Sequence, residues 1–114
     1  MKFYKSFLYA LKGLKAVWNE EHNFRLEIIA AAAVLVSIFY FDFSYVESAL
    51  SILAIVLVLS AEIVNTVIED LCNKVEPRQD LGIAKIKDTM AAFVLVTTLG
   101  AGILGVIVFS NHFL

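Results

Sequence analysis

The sequence predicts an all-α membrane protein: three transmembrane helices behind an N-terminal amphipathic helix that lies in the membrane interface. Three observations carry that reading. Hydrophobic residues make up 61% of the 114 positions, well above the roughly 45–50% of a soluble domain. They gather in three runs free of charge, 28–41, 49–61 and 91–109, which offer water no polar face. All nine Lys and Arg residues fall in two places: Lys2, Lys5, Lys12, Lys15 and Arg25 before the first run, and Lys74, Arg78, Lys85 and Lys87 between the second and third. Basic residues favour cytoplasmic loops, so the N-terminus and the 73–88 loop are expected inside, with Ser44, His112 and the C-terminus outside. Residues 1–114 are expected to form one domain.

Residues 3–22 read as the interfacial helix. Phe3, Phe7, Leu11, Leu14 and Trp18 share one stripe, and Lys2, Lys5 and Lys12 lie opposite, the pattern of a helix that lies on a membrane rather than crossing it. Tyr9 projects with the lysines, as an interfacial tyrosine or towards a polar ligand. A polar elbow, Asn19 to Glu27, then breaks the pattern. The first span is placed at 26–43, because a 30 Å hydrocarbon core needs about 20 helical residues. A turn at 42–45 leads to the second span, 46–73. Pro77, the single proline, ends the extension of that helix and opens a polar loop. The third span is placed at 84–110.

The informative stretch is Ala61-Glu62-Ile63-Val64-Asn65-Thr66-Val67-Ile68-Glu69. At about 100° per residue, Glu69 falls within about 20° of Glu62, with Asn65 and Thr66 flanking the same stripe. Glu62 is expected just inside the hydrocarbon boundary and Glu69 just outside it. A charge deep in a bilayer costs roughly 2.5–3.5 kcal/mol, so this face must meet protein, water or a ligand. A satisfied polar interface between helices is one reading. Two acids with no basic partner inside the membrane favour the other, a cation site.

Several classes are excluded. No basic run alternates with aromatics as a nucleic-acid surface requires. The lone cysteine, Cys72, has no disulfide partner and makes no multi-cysteine metal site. No signal peptide is expected, since Lys12 and Lys15 stand where its apolar core should run. There is no G-x-x-x-x-G-K-[ST] loop, and no serine-hydrolase or zinc pattern. Gly100-Ala101-Gly102-Ile103-Leu104-Gly105 matches G-x-G-x-x-G by spacing but follows no strand and lies deep in a membrane helix. Small residues there, Ala101 and Gly105 among them, are expected to pack helices closely. On the expected cytoplasmic side, Glu21 and Glu69 suit a hard divalent cation, which in the case of Mg²⁺ takes one or two carboxylates plus phosphate oxygens. Lys85 and Lys87 suit phosphate, and Asp88 lies beside them. Phosphoryl transfer needs such a metal, a cation on the phosphates and an orienting group or base at the acceptor hydroxyl. An acid at the membrane boundary is placed for a lipid's hydroxyl.

Glu62-Ile63-Val64-Asn65-Thr66-Val67-Ile68-Glu69 resembles the signature of the small prokaryotic integral-membrane lipid kinases, the diacylglycerol kinase and undecaprenol kinase family. The resemblance continues in Lys12-Gly13-Leu14, in Asn19 to Arg25 with Glu27, and in Ala84-Lys85-Ile86-Lys87-Asp88. It implies a homotrimer with active sites shared between subunits, in the bacterial inner membrane, with the N-terminus and active site cytoplasmic. It implies ATP as co-substrate, Mg²⁺ as cofactor and a membrane lipid alcohol as acceptor, undecaprenol favoured and diacylglycerol the alternative. By the same resemblance Glu62 is the catalytic base, and Glu21 and Glu69 hold the metal. Asn65 is the active-site amide, Lys87 contacts ATP phosphate, Tyr9 and Asp88 lie near the nucleotide, and Arg25 and Glu27 support the site. The chain departs from the family pattern at Val67, where a small residue is usual, and at Cys72-Asn73, where Val-Asp is usual. The rival from a different class is a small oligomeric transport or channel protein that uses Glu62 for ions.

Overall fold

The structure is a computed structural model that describes residues 2–113. It is all-α, with helices α1 (Lys2–Glu20), α2 (His22–Tyr40), α3 (Tyr45–Val75) and α4 (Leu81–Phe113). The last three are long and apolar enough to cross a membrane, and α1 is not. α1 ends at Glu20 rather than 22, and α2 starts before 26 but ends at Tyr40 rather than 43. α3 and α4 run past both ends of the spans expected for them, because a helix does not stop at the hydrocarbon boundary. It continues until the backbone is capped or the sequence forbids it.

The elbow shows this most clearly. Asn19 to Glu27 contains no Gly or Pro, and all of it except Glu21 is helical. Glu21 is extended (φ −114°, ψ 111°), so the whole change of direction is made at one residue. Its amide still donates to the Val17 carbonyl of α1 (2.8 Å), and its carbonyl accepts from the Arg25 amide of α2 (3.4 Å). Val17 before the joint and Phe24 after it are both buried, which pins it. The molecule measures 51 × 41 × 20 Å. At 1.5 Å per residue, α4 accounts for the long dimension. The second dimension exceeds that of three helices packed about 10 Å apart, so α1 projects sideways from the bundle.

The turn from α2 to α3 is built from local bonds. Asp42 takes a positive φ of 51°, a left-handed position that Asp tolerates better than most residues. The Phe43 amide then closes on the Ile38 carbonyl at 3.1 Å, a Schellman-type ending. Ser44 and Glu47 form a reciprocal capping box: the Ser44 hydroxyl accepts from the Glu47 amide (3.1 Å), and the Glu47 carboxylate accepts from the Ser44 amide (3.0 Å). The second Glu47 oxygen reaches α4, where it accepts from Asn111 Nδ2 (3.1 Å) and lies 3.0 Å from His112 Nε2. Phe43 stacks on the His112 ring at 4.6 Å. One carboxylate therefore caps α3 and ties it to the end of α4.

At the other end, the Glu76 amide closes α3 on the Cys72 carbonyl (3.0 Å). Asp80 caps α4 by accepting from the Ile83 amide (3.0 Å). A side chain at Gly82 would meet that Asp80 oxygen at 3.0 Å, so glycine leaves the cap its space. Ser44 and His112 thus lie at one end of the bundle and Arg78 at the other.

α3 packs between α2 and α4, and α1 rests on α2. The buried residues are few and concentrated on α3: Ser51, Ala61, Glu62, Thr66 and Cys72, joined by Val17, Phe24 and Val108 from the other helices. Most large apolar side chains of the spans face outward, as lipid requires. The stripe of small residues on α4 does not pack closely within the chain. A side chain at Gly100, Gly102 or Gly105 would meet nothing within 4 Å. Ala101, Gly102 and Gly105 instead line an apolar cavity of about 290 Å³ between α2, α3 and α4. The facing positions, Ala30, Ala31 and Ala54, are also small, so neither side fills the gap.

The double duty of Glu47 leads to a stability difference. Ser44→Ala removes one half of a cap and should cost about 1 kcal/mol. Glu47→Ala removes the other half together with the tie to α4, so it should cost more. Thermal unfolding of both variants in detergent micelles checks the order.

Candidate active site

The site grows from the polar stripe of α3. Glu62 begins it and is 3% exposed, as is Thr66 one turn later. The Thr66 hydroxyl donates to the Glu62 carbonyl at 2.9 Å, which satisfies that hydroxyl locally. Among the described residues no side chain donates a hydrogen bond to the Glu62 carboxylate. Glu69 is half-buried, and Asn65 Nδ2 donates to its Oε1 at 3.2 Å. An i, i+4 amide–carboxylate bond of this kind fixes the carboxylate's direction along the helix. A lone three-helix protomer is expected from sequence to cover such a stripe poorly, yet neighbouring helices of the same chain already bury Glu62 and Thr66.

The joint between α1 and α2 supplies the facing acids. Glu21 feels the charges of Glu69, Glu62, Glu20 and Asp70; burial first, and those charges next, hold its carboxyl above the usual range. Glu20 is also raised, chiefly by the charge of Asp70. Glu27, a turn into α2, lies within electrostatic reach of Glu62. Its Oε2 is buried without a partner, and the residue borders the apolar cavity. Glu20 and Asp70 were not among the residues expected at the site. Each reads from sequence as a solvated neighbour of a better candidate, and only the fold brings them together. Among the described residues no Lys or Arg pairs with any of these acids.

Carboxylates gathered this way raise one another's proton affinity, and a divalent cation relieves that repulsion. Among the described residues no three Asp, Glu, His or Cys side chains converge as a ready-made ligand set. Glu21 and Glu69 are nonetheless hard oxygen donors on two elements, and Mg²⁺ commonly takes only one or two carboxylates and fills the rest with water and phosphate. The donor set fits that ion.

The cationic part lies further along. Lys87 Nζ on α4 donates to Asn73 Oδ1 on α3 at 2.7 Å. Both residues border a recess of about 490 Å³ under the 76–80 loop. Asp88 is exposed beside Lys87. Tyr9 is exposed on α1, with the Lys12 ammonium 5.7 Å from its ring centroid. Among the described residues no hydrogen bond or ion pair joins Tyr9, Arg25 or Asp88 to the acids.

The raised carboxyls set the sign of a pH dependence. Below the ordinary glutamate value of 4.5 folded and unfolded chains are equally protonated. As pH rises past it, the unfolded chain loses protons that the folded chain still holds, so stability falls. Without divalent ions the melting temperature should therefore decline as pH rises above 4.5. Saturating Mg²⁺ should flatten that slope, and Glu21→Gln should reduce it. Melting curves across this range check all three.

Comparison with known proteins agrees with this arrangement. The family model described as prokaryotic diacylglycerol kinase matches residues 8–109. Undecaprenol kinase of Bacillus subtilis (strain 168) is 31% identical over 108 residues, covering 95% of this chain and 88% of that protein. Diacylglycerol kinase of Escherichia coli (strain K12) is 30% identical over 105 residues, covering 92% and 86%. Diacylglycerol kinase of Haemophilus influenzae is 27% identical over 94 residues, covering 81% and 80%. The match runs from α1 to the last turns of α4, over the acids of both the joint and α3: the chain belongs to the prokaryotic diacylglycerol kinase family, membrane lipid kinases that include undecaprenol kinase.

Proposed function

We propose that the protein transfers the γ-phosphoryl group of ATP to the hydroxyl of a membrane lipid alcohol, with Glu62 as general base. The observation that carries this is the buried carboxylate of Glu62 on a membrane helix, without a donor among the described residues and two turns along the same stripe from a second, solvent-reachable acid. The lipid hydroxyl gives its proton to Glu62 as its oxygen bonds to the γ-phosphorus. The bond from that phosphorus to the bridging oxygen breaks, leaving ADP and a lipid phosphate monoester. Glu21 and Glu69 hold Mg²⁺, which neutralises charge on the phosphates. Asn65 keeps Glu69 aimed, and Lys87 meets phosphate oxygens. Tyr9 and Asp88 border the nucleotide, with Arg25 and Glu27 in support. The acid end of α3 is cytoplasmic, as the basic residues around it require, and α1 lies in the interface of the bacterial inner membrane. A homotrimer with sites shared between subunits completes the reading, by resemblance to the family.

The preferred acceptor is undecaprenol. The support is the Asn-Glu-x-x-Asn-Phe-Arg elbow, Asn19 to Arg25, and the Pro77 loop, which resemble the Gram-positive-type members. Relatives of both specificities stand at nearly equal identity. The test offers purified protein labelled ATP and both lipids in mixed micelles. The expected result is Mg²⁺-dependent labelling of a lipid, faster with undecaprenol. Lipid-independent ion flux through reconstituted vesicles, without lipid labelling, would instead establish a channel.

Three variants separate the roles of the acids. Glu62→Gln keeps shape and removes the base, so kcat should fall by roughly 10²–10⁴ with little change in nucleotide binding. Glu21→Gln and Glu69→Gln should instead raise the Mg²⁺ concentration needed for half-maximal rate. Turnover of assembled Glu62→Gln within a few-fold of wild type would reduce Glu62 to a packing residue.

A further inference from the structure

We infer that Asn73 is a positioning residue that holds the Lys87 ammonium in place for phosphate, an inference that rests on the lipid-kinase reading above. Lysine is a compact charge on a stem with four rotatable bonds, and by itself it fixes no direction. Here the Lys87 side chain crosses from α4 to α3 and donates to Asn73 Oδ1 at 2.7 Å, the short end of the range for a charge-assisted bond. One N–H of the ammonium is used, and two remain for the recess that both residues border.

The choice of an amide has a consequence. A neutral acceptor orients the ammonium without cancelling its charge, whereas a carboxylate would form an ion pair that competes with phosphate. Asn73 also stands one helical turn beyond Glu69, and Asn65 stands one turn before it. Asn65 donates to the acid, while Asn73 accepts from the cation. Two amides on one face of α3 thus fix a carboxylate and an ammonium at a set separation, and neither adds charge to a crowded group of acids. A metal-bound phosphate chain calls for both groups, since its oxygens meet the metal on one side and a cation on the other.

A purely structural tether between α3 and α4 makes a different prediction, so the test reads affinity separately from turnover and from folding. Asn73→Leu keeps the size and removes the acceptor; Asn73→Asp keeps the acceptor. With purified, assembled protein and saturating lipid, Asn73→Leu should raise the KM for ATP roughly five- to twenty-fold, the effect of one lost hydrogen bond to a charged group. Its kcat should stay within about three-fold, because Glu62 is untouched. Asn73→Asp should raise KM less than Asn73→Leu does, since the ammonium is again held, yet leave it above wild type, since the carboxylate pairs with the charge that phosphate needs. In a Lys87→Met background Asn73→Leu should add nothing, the signature of residues that act through one another. An unchanged KM in Asn73→Leu, a loss of yield or melting temperature alone, or full additivity with Lys87→Met would each overturn the inference. Wild-type protein that phosphorylates neither lipid would overturn the lipid-kinase reading itself, a failure visible before any Asn73 variant is made.

Discussion

Carboxylates on a membrane helix must be kept away from lipid, and the arrangement of this chain follows from that requirement. α3 carries Glu62 and Glu69 on one stripe, and burying such a stripe needs neighbours on both sides. α2 and α4 supply them, and the few buried residues cluster on α3. The cost of isolating a charge falls steeply once it meets water or other polar groups. The stripe accordingly runs from the buried Glu62 to a half-buried Glu69 and an exposed Asn73. That gradient is what brings an apolar phase and an aqueous one to the same helix face.

The α3–α4 pair makes the most extensive helix–helix contact in the molecule and is also tied by polar bonds at its two ends. Asn111 and His112 hold Glu47 at one end, and Lys87 holds Asn73 at the other. Between the ties, small residues leave an apolar cavity. Polar bonds at the ends face water and cost little to form there, while the middle offers only van der Waals contact. Two helices anchored in this way keep their register even where their sides do not interdigitate.

The joint at Glu21 performs a related task. A single extended residue redirects the chain while both flanking helices keep their hydrogen bonds. That residue is itself one of the acids that face α3, so the turn and the site are one feature. Any change of backbone at the joint moves Glu20 and Glu21 relative to Glu69 and Asp70.

The sequence by itself determined the elements and their kind. Three charge-free runs require three membrane helices, the lysines mark the aqueous ends, and the spacing of Glu62, Asn65 and Glu69 puts them on one face, because helical periodicity is a local property. The Asn65–Glu69 bond could have been foreseen from that spacing, as could the Ser44–Glu47 cap. Relations across elements were decided only by the tertiary structure. Nothing in the spacing of Glu20 and Asp70 marks them as partners, since they lie fifty residues apart and meet only because the α1–α2 joint rests against α3. The elbow looked like an extended break, yet polarity alone does not unwind a helix and one residue sufficed for the turn. Asn73 read as a lost acid, and the fold gave it a lysine fourteen residues away. Glu62 read as poorly covered, and the fold buried it, because which side chains lie across a stripe depends on how the loops aim the neighbouring helices.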